Sequence, residues 1–171
     1  MLKDLPELIE PIRLAQQGIT LCGQVPLARM TRIHDSLCEV QGDVAIAWTF
    51  TKDEQSRPII QGTLKTTLVM TCQRCLQPMI VELDVPVTLM ILNSEQDEED
   101  VPETFETLIL DKTPVSLPEL IEDELVLAMP LVTYHEHCPQ NDYILPDSTP
   151  ITEPNTPSNP FAVLGVLKKA N

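Results

Sequence analysis

Three runs of alternating residues between positions 44 and 91 constrain the fold more than any other feature of this sequence. In each run, large apolar side chains recur at every second position, which is the period of a strand with one buried face. The runs cover residues 44–50, 59–71 and 79–91, and short segments separate them. Short connections between successive strands favour antiparallel pairing. The sequence therefore predicts an α+β fold built on an antiparallel sheet with two or three helices.

Helical patterns lie on both sides of these runs in the sequence. Pro26 is predicted to start a helix, because apolar residues of the segment 27–38 recur at three- and four-residue spacing. Ser116 is predicted to cap a second helix, with Glu119 completing a capping box and Pro130 ending the helix. The three consecutive acidic residues of that second helix predict a solvated face.

Three shorter segments carry local signals of their own. Residues 5–24 predict a short strand or turn at Glu10 and Pro11, followed by an apolar strand. Pro86 interrupts the third alternating run and predicts an edge strand or a bulge, because proline cannot donate to a sheet ladder. Residues 104–110 resume a strand pattern after an acidic loop.

The chain is predicted to divide into three parts. Residues 1–138 form a single α+β domain, and residues 139–158 form a linker that contains five prolines. Residues 159–171 form a short amphipathic helix, which must dock on its own domain or on a partner because a helix of this length is marginal alone in water. The predicted partner-binding residues of this helix are Asn159, Pro160, Phe161, Leu164 and Leu167.

Acidic residues dominate the second half of the chain. The net charge is −15, and residues 76–167 hold eighteen acids but only one base, Lys112. Such a surface repels phosphate backbones, whereas RNA affinity comes mainly from lysine and arginine. It attracts basic proteins and speeds their association. The charge distribution therefore favours a basic protein partner over direct binding of nucleic acid, although a merely solvated surface is the simpler reading.

The sequence also predicts the cellular compartment. Its first ten residues lack the apolar core of a signal peptide, and nowhere do eighteen apolar residues run together. We therefore expect a cytoplasmic protein that does not bind membranes. In a reducing compartment its five cysteines should be thiols or metal ligands rather than disulfides.

Cys72 and Cys75 have the spacing of a zinc knuckle and lie between two predicted strands, where a tight hairpin would direct both thiols at one ion. Cys138 and one of two histidines, His137 or alternatively His135, could complete a tetrahedral site of three sulfurs and one nitrogen. The competing reading is a hairpin with reduced, unliganded cysteines.

Other chemistry is sparse. No glycine-rich phosphate loop, hydrolase elbow, zinc-protease motif or dinucleotide fingerprint is present in the sequence. A thiol oxidoreductase would place its C-x-x-C at a helix N-terminus, but here a strand pattern follows the motif. We therefore predict a protein that is not an enzyme, has no catalytic residue and takes no small-molecule substrate.

Several sequence blocks are spread in order over nearly the whole chain. They are EPIRLAQQG (10–18), TCQRC (71–75), IEDELVLAMPLV (121–132), His137-Cys138 and NPFAVLGVLKK (159–169). Together these blocks resemble the YceD family. The resemblance implies a cytosolic protein needed for accumulation of the large ribosomal RNA, acting in the synthesis, processing or stability of 23S rRNA. Many members of that family carry a downstream C-P-x-C, in which Asn141 here replaces the second cysteine.

Three functional hypotheses follow. The first is a factor that binds a basic ribosomal protein or a pre-large-subunit particle, with the C-terminal helix as an apolar anchor. The second is a zinc-knuckle adaptor that binds rRNA directly. The third is a thiol oxidoreductase, which requires a lowered pKa at Cys72 or Cys75. The second hypothesis requires one shared face for Arg13, Arg29, Arg32, Arg57, Lys65 and Arg74.

Overall fold

The computed structural model describes residues 5–94, 98, 101–110 and 112–138. These residues belong to one compact unit, Met1–Pro139, and a second unit, Gln140–Asn171, lies outside them. The predicted linker and C-terminal helix, with its partner-binding residues, therefore lie outside the described residues. The domain limits stay a prediction.

The described part of the chain forms eight strands, two α-helices and two short 3-10 helices. The 3-10 helices, Leu27–Arg29 and Thr31–Ser36, follow the second strand. The α-helices are α1 (Pro11–Gln17) and α2 (Leu117–Ala128). The strands are β1 (Leu8–Ile9), β2 (Thr20–Pro26), β3 (Leu37–Glu39), β4 (Asp43–Lys52), β5 (Pro58–Thr71), β6 (Pro78–Leu92), β7 (Glu106–Ile109) and β8 (Val115–Ser116).

The main sheet has the order β2-β4-β5-β6-β7, and β3 also pairs with β5. The three predicted central strands are confirmed as β4, β5 and β6, and they pair antiparallel. One pair departs from the predicted antiparallel sheet, because β7 runs parallel to the end of β6. In this parallel pair Glu106 lies opposite Leu89 and Ile109 lies opposite Leu92. Pro86 lies in the part of β6 that β7 does not reach, which agrees with the predicted edge.

One face of the sheet forms the main hydrophobic core. Trp48 and Phe50 of β4 are fully buried there, as are Leu64 and Leu68 of β5. Burying a side chain of this size is worth about 1.5–3 kcal/mol. Gly62 pairs with Trp48, and a Cβ atom at Gly62 would collide with the carbonyl oxygen of Ala47, so this close approach requires glycine. Helix α2 packs on the same core through Leu117, Leu120, Ile121 and Leu125.

The predicted helix after Pro26 was wrong. Residues 27–36 instead form the two 3-10 helices, and the residues that follow form β3. The buried side chains are Leu27, Met30 and Ile33, at a constant spacing of three, which is the period of a 3-10 helix. His34 is half-buried, with its Nε2 atom 3.3 Å from the carbonyl oxygen of Leu27.

Helix α1 was also missed, since its segment was predicted to start with a strand or turn. Its boundary residues carry the signals that identify it. Pro11 occupies the first helical position, and Gly18 ends the helix in a left-handed conformation at φ 65°. Its seven residues are too few to show a clear apolar period.

Helix α2 matches the predicted boundaries, but its acidic residues do not match the predicted solvated face. The Ser116 hydroxyl accepts a hydrogen bond from the backbone N–H of Glu119, and the helix ends at Ala128, before Pro130. Glu122 and Glu124 are only 3% and 8% exposed. The reason at Glu122 is specific: its carboxylate accepts hydrogen bonds from the backbone N–H groups of two residues in the second 3-10 helix, Arg32 and Ile33.

Candidate metal centre

The hairpin between β5 and β6 positions the first two cysteines. The backbone N–H of Cys72 donates to the carbonyl of Gln77 at 2.9 Å, and the N–H of Leu76 donates to the carbonyl of Cys72 at 2.8 Å. Leu76 adopts a left-handed conformation at φ 60°. These bonds close the predicted tight turn, in which Cys72 and Cys75 are both fully buried.

The segment that follows α2 runs beside this hairpin. The carbonyl of Thr133 accepts the backbone N–H of Gln73 at 2.7 Å, and the Thr133 hydroxyl donates to the carbonyl of Thr71 at 2.7 Å. The side-chain amide of Gln73 donates to the carbonyl of Leu131 at 3.1 Å. These polar contacts bring the residues after Thr133 to the two buried thiols.

Four ligand atoms meet at this point. The Sγ atoms of Cys72 and Cys138 lie 3.8 Å apart, and Nδ1 of His135 lies 3.3 Å from Sγ of Cys75. All four atoms lie within 4.8 Å of one another. Two thiolates bound tetrahedrally to zinc at about 2.3 Å would be roughly 3.8 Å apart. The group therefore has both the donor set and the spacing of a closed zinc site.

The histidine in this group is His135, which was the predicted alternative, and not His137, which was the predicted first choice. His137 is exposed and does not belong to the cluster. The backbone N–H of His135 donates to Sγ of Cys72 at 3.3 Å, so this residue is held over the site by its main chain. The cysteines at positions 22 and 38 are exposed and lie outside the group.

Arg74 joins the two halves of the site. It lies inside the C-x-x-C turn, and its Nε donates to Sγ of Cys138 at 2.9 Å. Its terminal nitrogen donates to the carbonyls of His135 at 2.7 Å and Glu136 at 3.2 Å. The sulfur of Cys138 raises the pKa of Arg74. The rRNA-binding hypothesis required Arg74 on a shared basic face, whereas the folded chain places its side chain against Cys138.

The pKa values of the two hairpin thiols are shifted in opposite directions. Burial would raise the pKa of Cys72, but backbone N–H groups of Cys75, His135 and Arg74 outweigh burial and lower that pKa to about 5. Burial raises the pKa of Cys75, and the neighbouring sulfurs of Cys72 and Cys138 raise it further. Backbone N–H groups that stabilise a thiolate serve a metal ligand as well as a nucleophile, so the lowered pKa does not by itself indicate redox chemistry.

The hypothesis of direct rRNA binding requires six basic side chains, and all six contact other groups of the protein. Each contacts acceptors of the chain itself, which are carboxylates in five cases and, in the sixth, the Cys138 sulfur with two backbone carbonyls. The contacts are Arg13–Glu10, Arg29–Glu7, Arg32–Glu122 and Asp123, Arg57–Asp53, Lys65–Asp84, and Arg74 with Cys138.

Neither helix of the described ranges has the length and apolar character that crossing a membrane requires.

The fold and the site define a class: an α+β domain in which a three-cysteine, one-histidine centre joins a sheet hairpin to the segment after the last described helix. The family model described as "Large ribosomal RNA subunit accumulation protein YceD" matches residues 60–168. A relative of that name from Haemophilus influenzae is 30% identical over an alignment of 173 positions, which covers 96% of this chain and 97% of the relative. No solved structure matches the chain. The chain belongs to the YceD family.

Proposed function

We propose that this chain is a cytoplasmic, non-enzymatic ribosome-biogenesis factor. It supports the synthesis, processing or stability of 23S rRNA by binding a ribosomal protein or a precursor of the large subunit. The family and the relative are both named for accumulation of the large ribosomal RNA, which supports the context of this proposal. The mode of action rests on one observation: six of the eight described basic side chains already contact acceptors within the chain.

The electrostatics favour a basic protein over RNA as the direct partner. The described residues hold seventeen acids and eight bases, and six of those bases contact acceptors of the chain itself. A phosphate could recruit these six only in competition with their present partners. RNA affinity grows with the number of phosphates that free cations neutralise. The alternative, an adaptor that binds rRNA directly, is therefore disfavoured.

We also propose a structural zinc ion bound by Cys72, Cys75, His135 and Cys138. Four protein ligands leave no open position for substrate or water, which is typical of a structural rather than a catalytic site. Full burial of the two hairpin thiols, and their place between two strands, argue against a thiol oxidoreductase. Metal analysis of protein purified without chelator should find one zinc per chain. Metal-free protein that also takes up no Co²⁺ would contradict this assignment.

Affinity capture from a cell lysate tests the proposed function. The tagged full chain is used with and without ribonuclease, at low and moderate salt, beside a control protein of similar size and net charge. We expect basic ribosomal proteins that survive ribonuclease and weaken with salt, because salt screens exposed charges. Loss of all ribosomal components with ribonuclease would instead support direct rRNA binding.

A further inference from the structure

Exposed large apolar side chains concentrate in one short stretch of the described chain. Five of the eight large apolar residues that are exposed there lie between positions 126 and 134. Leu131 is 95% exposed and Leu127 is 75% exposed, although isolated leucines at a protein surface usually bury part of their area. A cluster of this kind is typical of an interaction site. The five residues are Val126, Leu127, Leu131, Val132 and Tyr134.

A groove lies beside this cluster. Its volume is about 370 Å³, and it lies between the end of α2, the second 3-10 helix and the hairpin of the metal centre. Methionine side chains adapt to different apolar partners, and two of them line this groove. The residues that line the groove include Asp35, Met70, Gln73, Val126, Met129 and Leu131.

The metal centre holds one wall of the groove in place. Leu131 and Thr133 belong to the segment that hydrogen-bonds to the hairpin through Gln73. The same segment ends in two of the proposed zinc ligands. The wall therefore depends on the contacts that the metal centre makes between parts of the chain that are distant in sequence.

The charges around the groove are acidic. Asp35 lines it, and Glu119 and Asp123 lie on the exposed face of α2, one helical turn apart and next to the position of Leu127. The nearby cation, Arg32, is bonded to Glu122 and Asp123. A groove that presents apolar side chains beside polar ones, with acidic residues at its border, matches a partner that carries both apolar and basic side chains.

We propose that this groove, the α2-end groove, binds a basic amphipathic segment of a protein partner. Apolar side chains of that segment enter beside Val126 and Leu131, which line the groove, and its lysines or arginines face Asp35 and Glu119. A second copy of this chain fits less well, because each copy carries a net charge of −15 and the acidic borders would repel. This inference rests on the proposed function, since it names the surface and the chemistry by which a basic protein is held.

Peptide titrations of the full chain test the groove directly. Three fluorescent peptides of one length and helical pattern are compared, made of leucine and lysine, leucine and glutamate, or serine and lysine. We expect tight binding of the leucine–lysine peptide alone. The double variant Val126→Ser with Leu131→Ser should bind it at least about tenfold more weakly, as loss of central apolar anchors usually does. Asp35→Asn should weaken binding less and flatten its salt dependence.

Leu8→Ser is the control, because Leu8 is also an exposed leucine, at 57%, but it pairs with Ser116 at the other end of α2. It should bind as the wild type does. The proposal is overturned if the double variant keeps wild-type affinity, or if the serine–lysine peptide binds equally well. It is also overturned if the double variant abolishes self-association of the chain rather than peptide binding. Capture of no ribosomal protein, with peptide binding intact, would count against the proposed function and leave the groove standing.

Discussion

The sheet core and the proposed metal centre (Cys72, Cys75, His135 and Cys138) involve the same two strands, β5 and β6, but they are stabilised by different interactions. In the core, Leu64 and Leu68 pack against apolar side chains of neighbouring strands. At the end of the same strands, Cys72 and Cys75 are buried beside groups that are sixty and more residues away in sequence. Burial of apolar side chains in the core is favourable because it removes them from water. Burial at the proposed metal centre also requires partners for polar sulfur and nitrogen atoms.

The difference should separate the two regions in stability. The core residues are linked through a continuous set of apolar contacts, so the core should unfold cooperatively. The segment 131–138 has no regular secondary structure and contacts the hairpin through a few polar bonds. Such segments open locally at a lower cost than a core strand. A bound ion would therefore stabilise the metal centre far more than it stabilises the sheet.

The largest expected effect is the loss of the metal by Cys75→Ser. Removing one of four ligands should abolish stoichiometric zinc binding, because the remaining donors leave the tetrahedral set incomplete. Hydrogen exchange should become fast in residues 72–77 and 131–138 and stay slow in β4 and β5. Cys22→Ser, a change at an exposed cysteine outside the cluster, should alter neither measurement. Equal loss of protection throughout the sheet would show that the two regions are not separable.

The variant Phe50→Ala instead perturbs the sheet core and leaves the proposed metal ligands unchanged. Phe50 is fully buried, and truncation of such a side chain costs about 3–5 kcal/mol of unfolding free energy. Denaturant titration should show this loss, while zinc content stays at the wild-type value under native conditions. Thr49→Ala, at the next position on the same strand, should cost about 1 kcal/mol or less. A drop in zinc content at unchanged stability would contradict the separation.

Arg74 gives a finer test within the metal centre. Three thiolates and one imidazole around Zn²⁺ carry a net charge of about −1, which the Arg74 guanidinium would balance. Arg74→Gln should weaken zinc binding by about 10–100-fold, the usual effect of removing a group that orients metal ligands. Arg74→Lys keeps the charge but not the forked donors, so it should recover only part of the affinity.

Competition with a chromogenic chelator measures these zinc affinities. Arg29→Gln is the matched control, because Arg29 pairs with Glu7 away from the cluster. Wild-type zinc affinity in Arg74→Gln would mean that Arg74 has no role in holding the ion.

The smallest expected effect concerns Glu124, a buried carboxyl group of α2 whose ionisation should lower the stability of the fold. Burial, followed by the charges of Glu106 and Asp123, raises the pKa of Glu124 to about 7. A carboxyl whose pKa is raised by folding costs no stability below its ordinary pKa of 4.5, and it lowers stability progressively as the pH rises through 7. Glu124→Gln should therefore exceed the wild type by about 1–3 kcal/mol at pH 8 and match it near pH 4.5.

Denaturant titrations of both proteins at several pH values measure this difference. Because the two proteins are compared at each pH, the loss of metal in acid affects both alike. Parallel stability curves over the whole range would contradict the assignment for Glu124.

Sequence patterns predicted the elements whose signals are local and repeated. The central strands were found because β4, β5 and β6 each show a period of two over many residues. Helix α2 was found because its cap and its terminating proline are adjacent in sequence to its apolar stripe. The 3-10 helices were not found, because apolar spacings of three and four look alike over a dozen residues. The direction of β7 depends on the path of a loop, which has no periodic signal.

The candidate site divides in the same way. The spacing of Cys72 and Cys75 between two strand patterns indicated a hairpin with two thiols directed at one point. The choice between His135 and His137 could not be made from spacing, because only one residue separates the two along the chain. The hydrogen bonds of Thr133 and His135 to the hairpin make that choice in the folded chain. Likewise, nothing in the sequence distinguishes Arg74, bound at the metal centre, from a cation free to contact phosphate.

The sequence by itself determined the sheet, the second α-helix, the acidic balance and the pair of cysteines, because each depends on neighbours a few positions apart. Tertiary structure alone decided which histidine joins the thiols, that Glu122 is buried beneath the second 3-10 helix, and that each of six cations has a partner. It also decided that the leucines after position 126 are exposed rather than packed. These features depend on groups that come together only when distant segments fold. The strength of a polar contact depends on the burial and the partners that folding supplies, and not on residue type alone.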